Sequence, residues 1–308
     1  MRCVVIGLGI QGRKRLAVAG TEAVATVDPV VADAHYQRIE DVPLDIYDAA
    51  LVCTPDRQKV DILRYLLSSG KHVLVEKPML AERSEILSEL LELARQNRVA
   101  CYTAYNHRFE PHLARVRELL DQDAIGRVYQ VRLFYGNGTA RDVRNSPWRD
   151  QGLGVLVDLG SHLLDLVLYW FGPRKRHFQA WAWNCFENRA FDHFVFGSPG
   201  MPFLELETSL LSWRNSFKAD IYGEKGSLHV DCLCKWGPTS LTIRHRVLPS
   251  GAPTEEVSVL KCPDPTWKLE YDYFKKACDT AGSNLENDIW IHSVFQQLSL
   301  QVGKGLAA

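Results

Sequence analysis

Over the first hundred residues, short continuous apolar runs alternate with longer amphipathic stretches. Residues 2–6, 23–27, 49–53, 72–75 and 100–104 read as strands, and 11–19, 57–69 and 83–97 as helices. A run such as Cys3-Val4-Val5-Ile6 suits a strand buried on both faces, so this stretch predicts a parallel sheet covered by helices on both sides. Beyond about residue 118 the texture changes. All eight Trp and eleven of the twelve Phe lie there, and the runs 128–135, 204–213, 217–222 and 241–246 alternate in polarity, as antiparallel strands with one packed face do. Segments 223–226 and 248–253 read as hairpin turns, and helices over 267–282 and 288–304 close the pattern. The expected organisation is a doubly wound first domain over 1–118 and a second domain over 119–308 built on an open, mostly antiparallel sheet.

The first strand-to-helix junction is Gly7-Leu8-Gly9-Ile10-Gln11-Gly12. Placed between a strand and a helix, the first glycine permits a tight turn, the second lets a pyrophosphate approach the backbone, and the third lets helix and strand pack closely. The N–H groups opening that helix, at Ile10 and Gln11, complement negative charge. Asp28 ends the next predicted strand, 21 residues after Gly7, where a carboxylate accepts hydrogen bonds from an adenine ribose. That favours NAD as cofactor. Arg13, Lys14 and Arg15 lie close enough in sequence to meet a 2′-phosphate, which leaves NADP open.

Composition narrows the partners. Lys plus Arg number 36 against 37 Asp plus Glu, a net charge of −1, without the basic excess that nucleic-acid backbones attract. The eight cysteines are scattered with no C-x-x-C pair, and Cys232 and Cys234 point opposite ways if extended, so they read as reduced core residues and no metal site is expected. The most apolar helical stretch, 163–171, is interrupted by Asp165 and falls far short of the roughly 20 residues a bilayer demands. Residues 1–10 run straight into the glycine motif rather than to a cleavage site. The expectation is a cytoplasmic protein that acts on a small molecule.

Two further constellations carry candidate chemistry. The run from Gly70 to Pro78 passes through a predicted buried strand and delivers Glu76-Lys77-Pro78 at its carboxyl end, the edge where doubly wound sheets bind ligands; His72 falls at the opposite end and reads as structural. Between 152 and 165 an apolar helix is predicted with Asp158, His162 and Asp165 at i, i+4 and i+7, on one face. Polar groups on an apolar helix require partners or a cavity, since burying them unpaired costs about 1–3 kcal/mol each. Asp158 and His162 satisfying one another in a core is the alternative for that motif taken alone.

Taken together, Gly7–Gly12, Cys53-Thr54-Pro55, Glu76-Lys77-Pro78, Tyr105-Asn106-His107-Arg108-Phe109, Trp148-Arg149, Asp158-x-x-x-His162-x-x-Asp165 and Gly223-x-x-Gly226-Ser227 resemble, in order and over nearly the whole chain, the glucose-fructose oxidoreductase and inositol dehydrogenase (Gfo/Idh/MocA) family. The resemblance implies an N-terminal Rossmann domain followed by an α+β domain with a large open sheet used for oligomerisation, here as a homodimer or homotetramer. It implies an NAD(P)-dependent dehydrogenase that moves hydride between a secondary alcohol or ketone of a sugar, sugar derivative or cyclitol and the nicotinamide. Lys77 would orient the substrate hydroxyl, Asp158 and His162 would relay its proton, and Thr54, Pro55 and Glu76 would border the cofactor. Imidazole chemistry suits the proton, and an ammonium suits a developing alkoxide. The chain departs from the family where Leu153 stands for a frequent glycine and Arg15 and Lys59 stand for frequent histidines.

Substrate contacts are expected from Lys77, Asn106, Arg108, Trp148 and Arg149. With Arg132, Arg141 and Arg144 also preceding the catalytic helix, an anionic sugar enters as a reading, because arginine forks grip carboxylate or phosphate. Solvated arginines, or pairs with Asp142 and Asp150, are the alternative. A non-catalytic NAD(P)-binding regulator and an NAD-dependent glycosidase are the rival functions on the same fold.

Overall fold

Five short strands, β1 (Cys3–Ile6), β2 (Ala23–Val27), β3 (Ala49–Val52), β4 (His72–Glu76) and β5 (Cys101–Ala104), form a sheet in the computed structural model, which describes residues 1–305. Their order is β2-β1-β3-β4-β5 and every pairing is parallel. Helix α1 (Ile10–Ala19) follows β1, α2 (Asp56–Ser68) follows β3 and α3 (Ser84–Gln96) follows β4. Alternate strand residues feed two cores. Val4, Ile6, Ala50, Val52, Val73 and Val75 pack with Leu63 and Leu67 of α2 and Leu87 and Leu90 of α3. Cys3, Val5, Leu51, Leu74 and Tyr102 pack with Tyr271 and Phe274. Burial on both faces is why these strands are apolar at consecutive positions.

The second sheet has eight strands. Helix α4 (Pro111–Asp121) precedes β6 (Val128–Gly136), and α5 (Ala140–Arg144), α6 (Val155–Asp158) and α7 (Gly160–Phe171) lead to β7 (Gln179–Asn184). Then come β8 (His193–Ser198), β9 (Phe203–Ser209), β10 (Ser216–Gly223), β11 (Gly226–Asp231), β12 (Thr239–Val247) and β13 (Gly251–Leu260). Their order is β13-β12-β11-β10-β6-β9-β8-β7, antiparallel throughout except for the β6–β9 pair. Val131, Leu133, Leu204, Leu206, Phe217, Ala219 and Ile221 are buried along one face, which α7 covers at β6 and β9 and α4 covers at β11 and β12.

Helices α8 (Thr266–Asp279) and α9 (Leu285–Val302) complete the chain. Contacts group Met1–Asn106 with Thr266–His292, and His107–Pro265 with the described residues from Ser293 onward. The division falls at 106/107 rather than the expected 118/119, and α8 returns to the first unit because its Tyr271 and Phe274 complete one core of the parallel sheet. Two expected elements are shorter: strand 204–213 ends at Ser209, and helix 152–165 is interrupted at Leu159, leaving Asp158 at the end of α6 and His162 and Asp165 on α7. Among the described residues no helix is long and apolar enough to cross a membrane.

Candidate active site

The strand order of the parallel sheet reverses at β1, and ligands of such sheets bind outside the carboxyl ends of the strands at that point. The glycine turn follows β1 and Cys53-Thr54-Pro55 follows its neighbour β3. The three glycines have separable roles. Gly7 has φ +88°, and a Cβ there would meet Cys53 O at 2.8 Å; a Cβ on Gly12 would meet Gly7 O at 1.7 Å; a Cβ on Gly9 would have nothing within 4 Å. The first and third are thus required by packing, while the second faces open space. Gly9 also caps α1, whose first residues Ile10 and Gln11 are exposed.

Asp28 ties this turn to the end of β2. Its Oδ2 accepts from Leu8 N at 2.7 Å and its Oδ1 from Val30 N at 2.9 Å and Val31 N at 3.0 Å. Burial alone would raise its pKa, but these three backbone donors and nearby Arg13 outweigh it and hold the carboxyl below its ordinary value. A carboxylate has about four lone-pair positions, so one remains for a ribose hydroxyl. Thr54 Oγ1 is buried with no hydrogen-bond partner among the described residues. An open Gly9, a charged Asp28 and an unsatisfied Thr54 hydroxyl at one switch point fit a dinucleotide.

Lys77 directly follows β4, at the same carboxyl edge, and the Lys77–Pro78 peptide is cis. The Glu76 side chain accepts from Arg15 Nε at 2.7 Å. His72, at the strand's other end, accepts from Ala100 N at 2.9 Å, as a structural residue does. Asn106 is buried and its amide donates to Thr266 Oγ1 at 3.0 Å.

In the second unit, His162 is 6% exposed and its ring stacks on that of His107 at 4.1 Å and 21°. Tyr135 on β6 lies edge-on to His162 at 5.7 Å and tilted against Trp236 at 5.6 Å. Burial, with the Asp158 carboxylate, pushes the Tyr135 pKa up, so the phenol keeps its proton. Lys235 Nζ sits 3.1 Å from His107 Nε2 and 4.7 Å from the Trp236 ring centroid. Asp158 ends the short helix α6, facing Arg149 Nη2 at 3.6 Å. That helix starts at Gly154, φ +51°, where a Cβ would meet Phe191 O at 2.4 Å, and Leu153 beside it is buried.

Several expected substrate contacts are otherwise engaged. Arg108 forms a two-pronged pair with the fully buried Asp165, at 2.7 and 2.6 Å, so it braces α7. Arg132 forms a solvent-exposed pair with Glu205 on the neighbouring strand β9 at 3.0 Å. Arg141 is 4.0 Å from Glu187, and Asp150 accepts from the backbone N–H groups of Arg189 and Ala190 rather than from an arginine side chain. Trp148 is 60% exposed.

Comparison with known proteins places this geometry. A family model described as an oxidoreductase family with an NAD-binding Rossmann fold matches residues 1–105, and one for the GFO/IDH/MocA C-terminal domain matches 113–229. The chain belongs to the Gfo/Idh/MocA family. Its first domain is accordingly an NAD-binding Rossmann domain. Levoglucosan dehydrogenase of Pseudarthrobacter phenanthrenivorans is 30% identical over 140 residues, 44% of this chain and 35% of that protein. Inositol 2-dehydrogenase of Rhizobium meliloti is 28% identical over 160 residues, 51% of this chain and 43% of that protein. The chain therefore matches less than half the length of these curated relatives. A solved structure of levoglucosan dehydrogenase in complex with NADH superposes with a TM-score of 0.84 at 17% identity, covering 100% of both chains, which establishes the shared fold.

Within this Gfo/Idh/MocA chain, the sequence singles out Asp158 and His162; the structure brings His107 and Tyr135 against His162, with Lys235 on His107 and Trp236 on Tyr135, neighbours that the sequence reading did not name as site residues. His107 lies in the gap between the two family matches, and Lys235 and Trp236 lie beyond the second. His107 sits inside the quoted Asn106-His107-Arg108 run and was the one signal available.

Proposed function

We propose that the protein is an NAD-dependent dehydrogenase acting on a secondary alcohol of a sugar, sugar derivative or cyclitol. The observation that carries this reading is the placement of Lys77 at the carboxyl end of β4, on the same edge of the parallel sheet as the glycine turn and Thr54. A pure cofactor-binding regulator has no need of an ammonium there. A bound nicotinamide would supply the hydride acceptor. Lys77 holds the substrate hydroxyl and offsets its developing negative charge. His162, with Asp158, takes the hydroxyl proton, the imidazole being the side chain suited to that exchange near neutral pH.

Gly7, Gly9 and Gly12 with the N–H groups of Ile10 and Gln11 hold the pyrophosphate, Asp28 the adenine ribose, and Thr54, Pro55 and Glu76 the nicotinamide side. A 2′-phosphate would meet the carboxylate of Asp28, which favours NAD over NADP. Asn106, Trp148 and Arg149 border the substrate. The uncovered face of the eight-stranded sheet, with Trp181 stacked on Phe203 at 5.5 Å and Trp183 exposed, suits a homodimer or homotetramer contact. The test is NADH formation over a panel of neutral sugars, cyclitols, uronic acids and nucleotide sugars. Oxidation of a panel member with equimolar NADH supports the reading; tightly held NAD with substrate cleaved and no NADH released replaces it with a glycosidase.

A further inference from the structure

Two cations are buried in the first unit, and both converge on the turn that carries Lys77. Lys59, on α2, is 1% exposed. Its ammonium meets Asp56 Oδ1 at 2.7 Å, Glu76 O at 2.7 Å and Pro78 O at 2.8 Å. An ammonium has three N–H donors, and here each has an acceptor. Two of those acceptors are the main-chain carbonyls on either side of Lys77. Arg15, on α1, is likewise 1% exposed; its Nε donates to Glu76 Oε1 at 2.7 Å and its Nη2 to Glu270 Oε2 at 2.6 Å, with its guanidinium 4.3 Å from the Trp267 ring centroid.

Charges taken out of water need partners to offset the lost hydration, and a generic core would fill these positions with apolar side chains; all three donors of Lys59 are met, whereas Arg15 keeps a buried Nη1 with no hydrogen-bond partner among the described residues beside its two ion pairs. The partners chosen are specific. Lys59 grips the backbone carbonyls immediately before and after Lys77. Arg15 links the helix that opens on the glycine turn to the Glu76 side chain. We infer that Lys59 and Arg15 are positioning residues that fix Lys77 for hydroxyl binding, with Arg15 also coupling the Lys77 turn to the pyrophosphate turn. The inference rests on the role proposed for Lys77 in the reading above.

The two cations predict different signatures. Lys59→Met should lower kcat at least 30-fold while NADH dissociation stays within threefold of wild type. Arg15→Met, which loosens α1 as well, should weaken NADH at least tenfold in addition to lowering kcat. A merely structural role would lower the melting temperature of both variants and leave kcat, measured well below melting, within threefold. A readout free of turnover accompanies these: acetylation of Lys77 in the native protein, followed by mass spectrometry, should change in rate at least fivefold in Lys59→Met. Asp56→Asn, at a partly exposed residue, supplies the same test in a milder form if Lys59→Met does not fold, with a smaller change of the same sign. An unchanged Lys77 acetylation rate in Lys59→Met, or in Asp56→Asn in its place, overturns the brace. If the wild type oxidises no polyol, the functional reading falls and the acetylation contrast still decides whether Lys59 positions Lys77.

Discussion

Alanine at Gly9 should separate cofactor binding from folding. Gly9 has φ −68° and ψ −167°, which alanine adopts without strain, and its added Cβ would find nothing within 4 Å. Replacing glycine at a compatible position stabilises by about 0.4–1 kcal/mol through the unfolded chain. Alanine is a poorer helix N-cap than glycine, which offsets a similar amount. The net change is near zero, so the melting temperature of the free protein should move by about 2 °C or less. Binding should respond differently. A Cβ at this point keeps a pyrophosphate from the backbone amides, and a hydrogen bond to a charged group contributes about 1.5–3 kcal/mol, or roughly 10- to 150-fold in affinity. Gly12→Ala is the control. Its Cβ starts 1.7 Å from Gly7 O and must retreat by about 1.7 Å to reach ordinary contact, an overpacking cost of about 1–3 kcal/mol and about 2–12 °C in melting temperature. Thermal unfolding without cofactor and calorimetric titration with NADH measure both quantities. Gly9→Ala binding NADH within threefold of wild type, or melting as low as Gly12→Ala, refutes the assignment of the three glycines.

Asp28→Asn should weaken NADH by about tenfold and narrow any preference over NADPH, read by titrating both cofactors. Because the folded carboxyl is held below its ordinary value, its stabilisation is present above about pH 4 and is lost as pH falls through the folded value; acid unfolding curves of wild type and variant should converge as pH falls below that folded value. Arg108→Met leaves the Asp165 carboxylate buried without its cation and should cost about 3–5 kcal/mol at neutral pH, measured by urea unfolding. Burial already pushes the Asp165 pKa up, and a raised folded value gives stability that is lost as pH rises, so the deficit of Arg108→Met should shrink as pH is lowered. A deficit that does not vary with pH would show that the pair does not carry the effect.

What was legible in the sequence follows from the range of the forces involved. The parallel sheet was legible because burial on both faces forces apolar residues at consecutive positions, as in Cys3–Ile6 and Ala49–Val52. The glycine turn was legible because each glycine answers a local steric demand. Strand β13 left little trace, since every residue from Gly251 to Val259 is exposed and no alternation is imposed. The partner of Arg108 was hidden for another reason: Asp165 lies 57 residues away, and only the packed helix brings them together. The same holds for Arg15 with Glu270, separated by 255 residues, and for Lys235 with His107, separated by 128. Leu159 interrupts the helix between Asp158 and His162, a break that an apolar run does not announce.

The measurement that bears most directly on the account is NADH formation by the wild type, Lys77→Ala and His162→Ala over the polyol panel, with NADH binding measured alongside. The account predicts turnover of at least one sugar or cyclitol by the wild type, and a loss of about 10²- to 10⁴-fold in each variant with NADH affinity kept within threefold. Turnover undiminished in both variants, or bound NAD that takes hydride from no member of the panel, would contradict it.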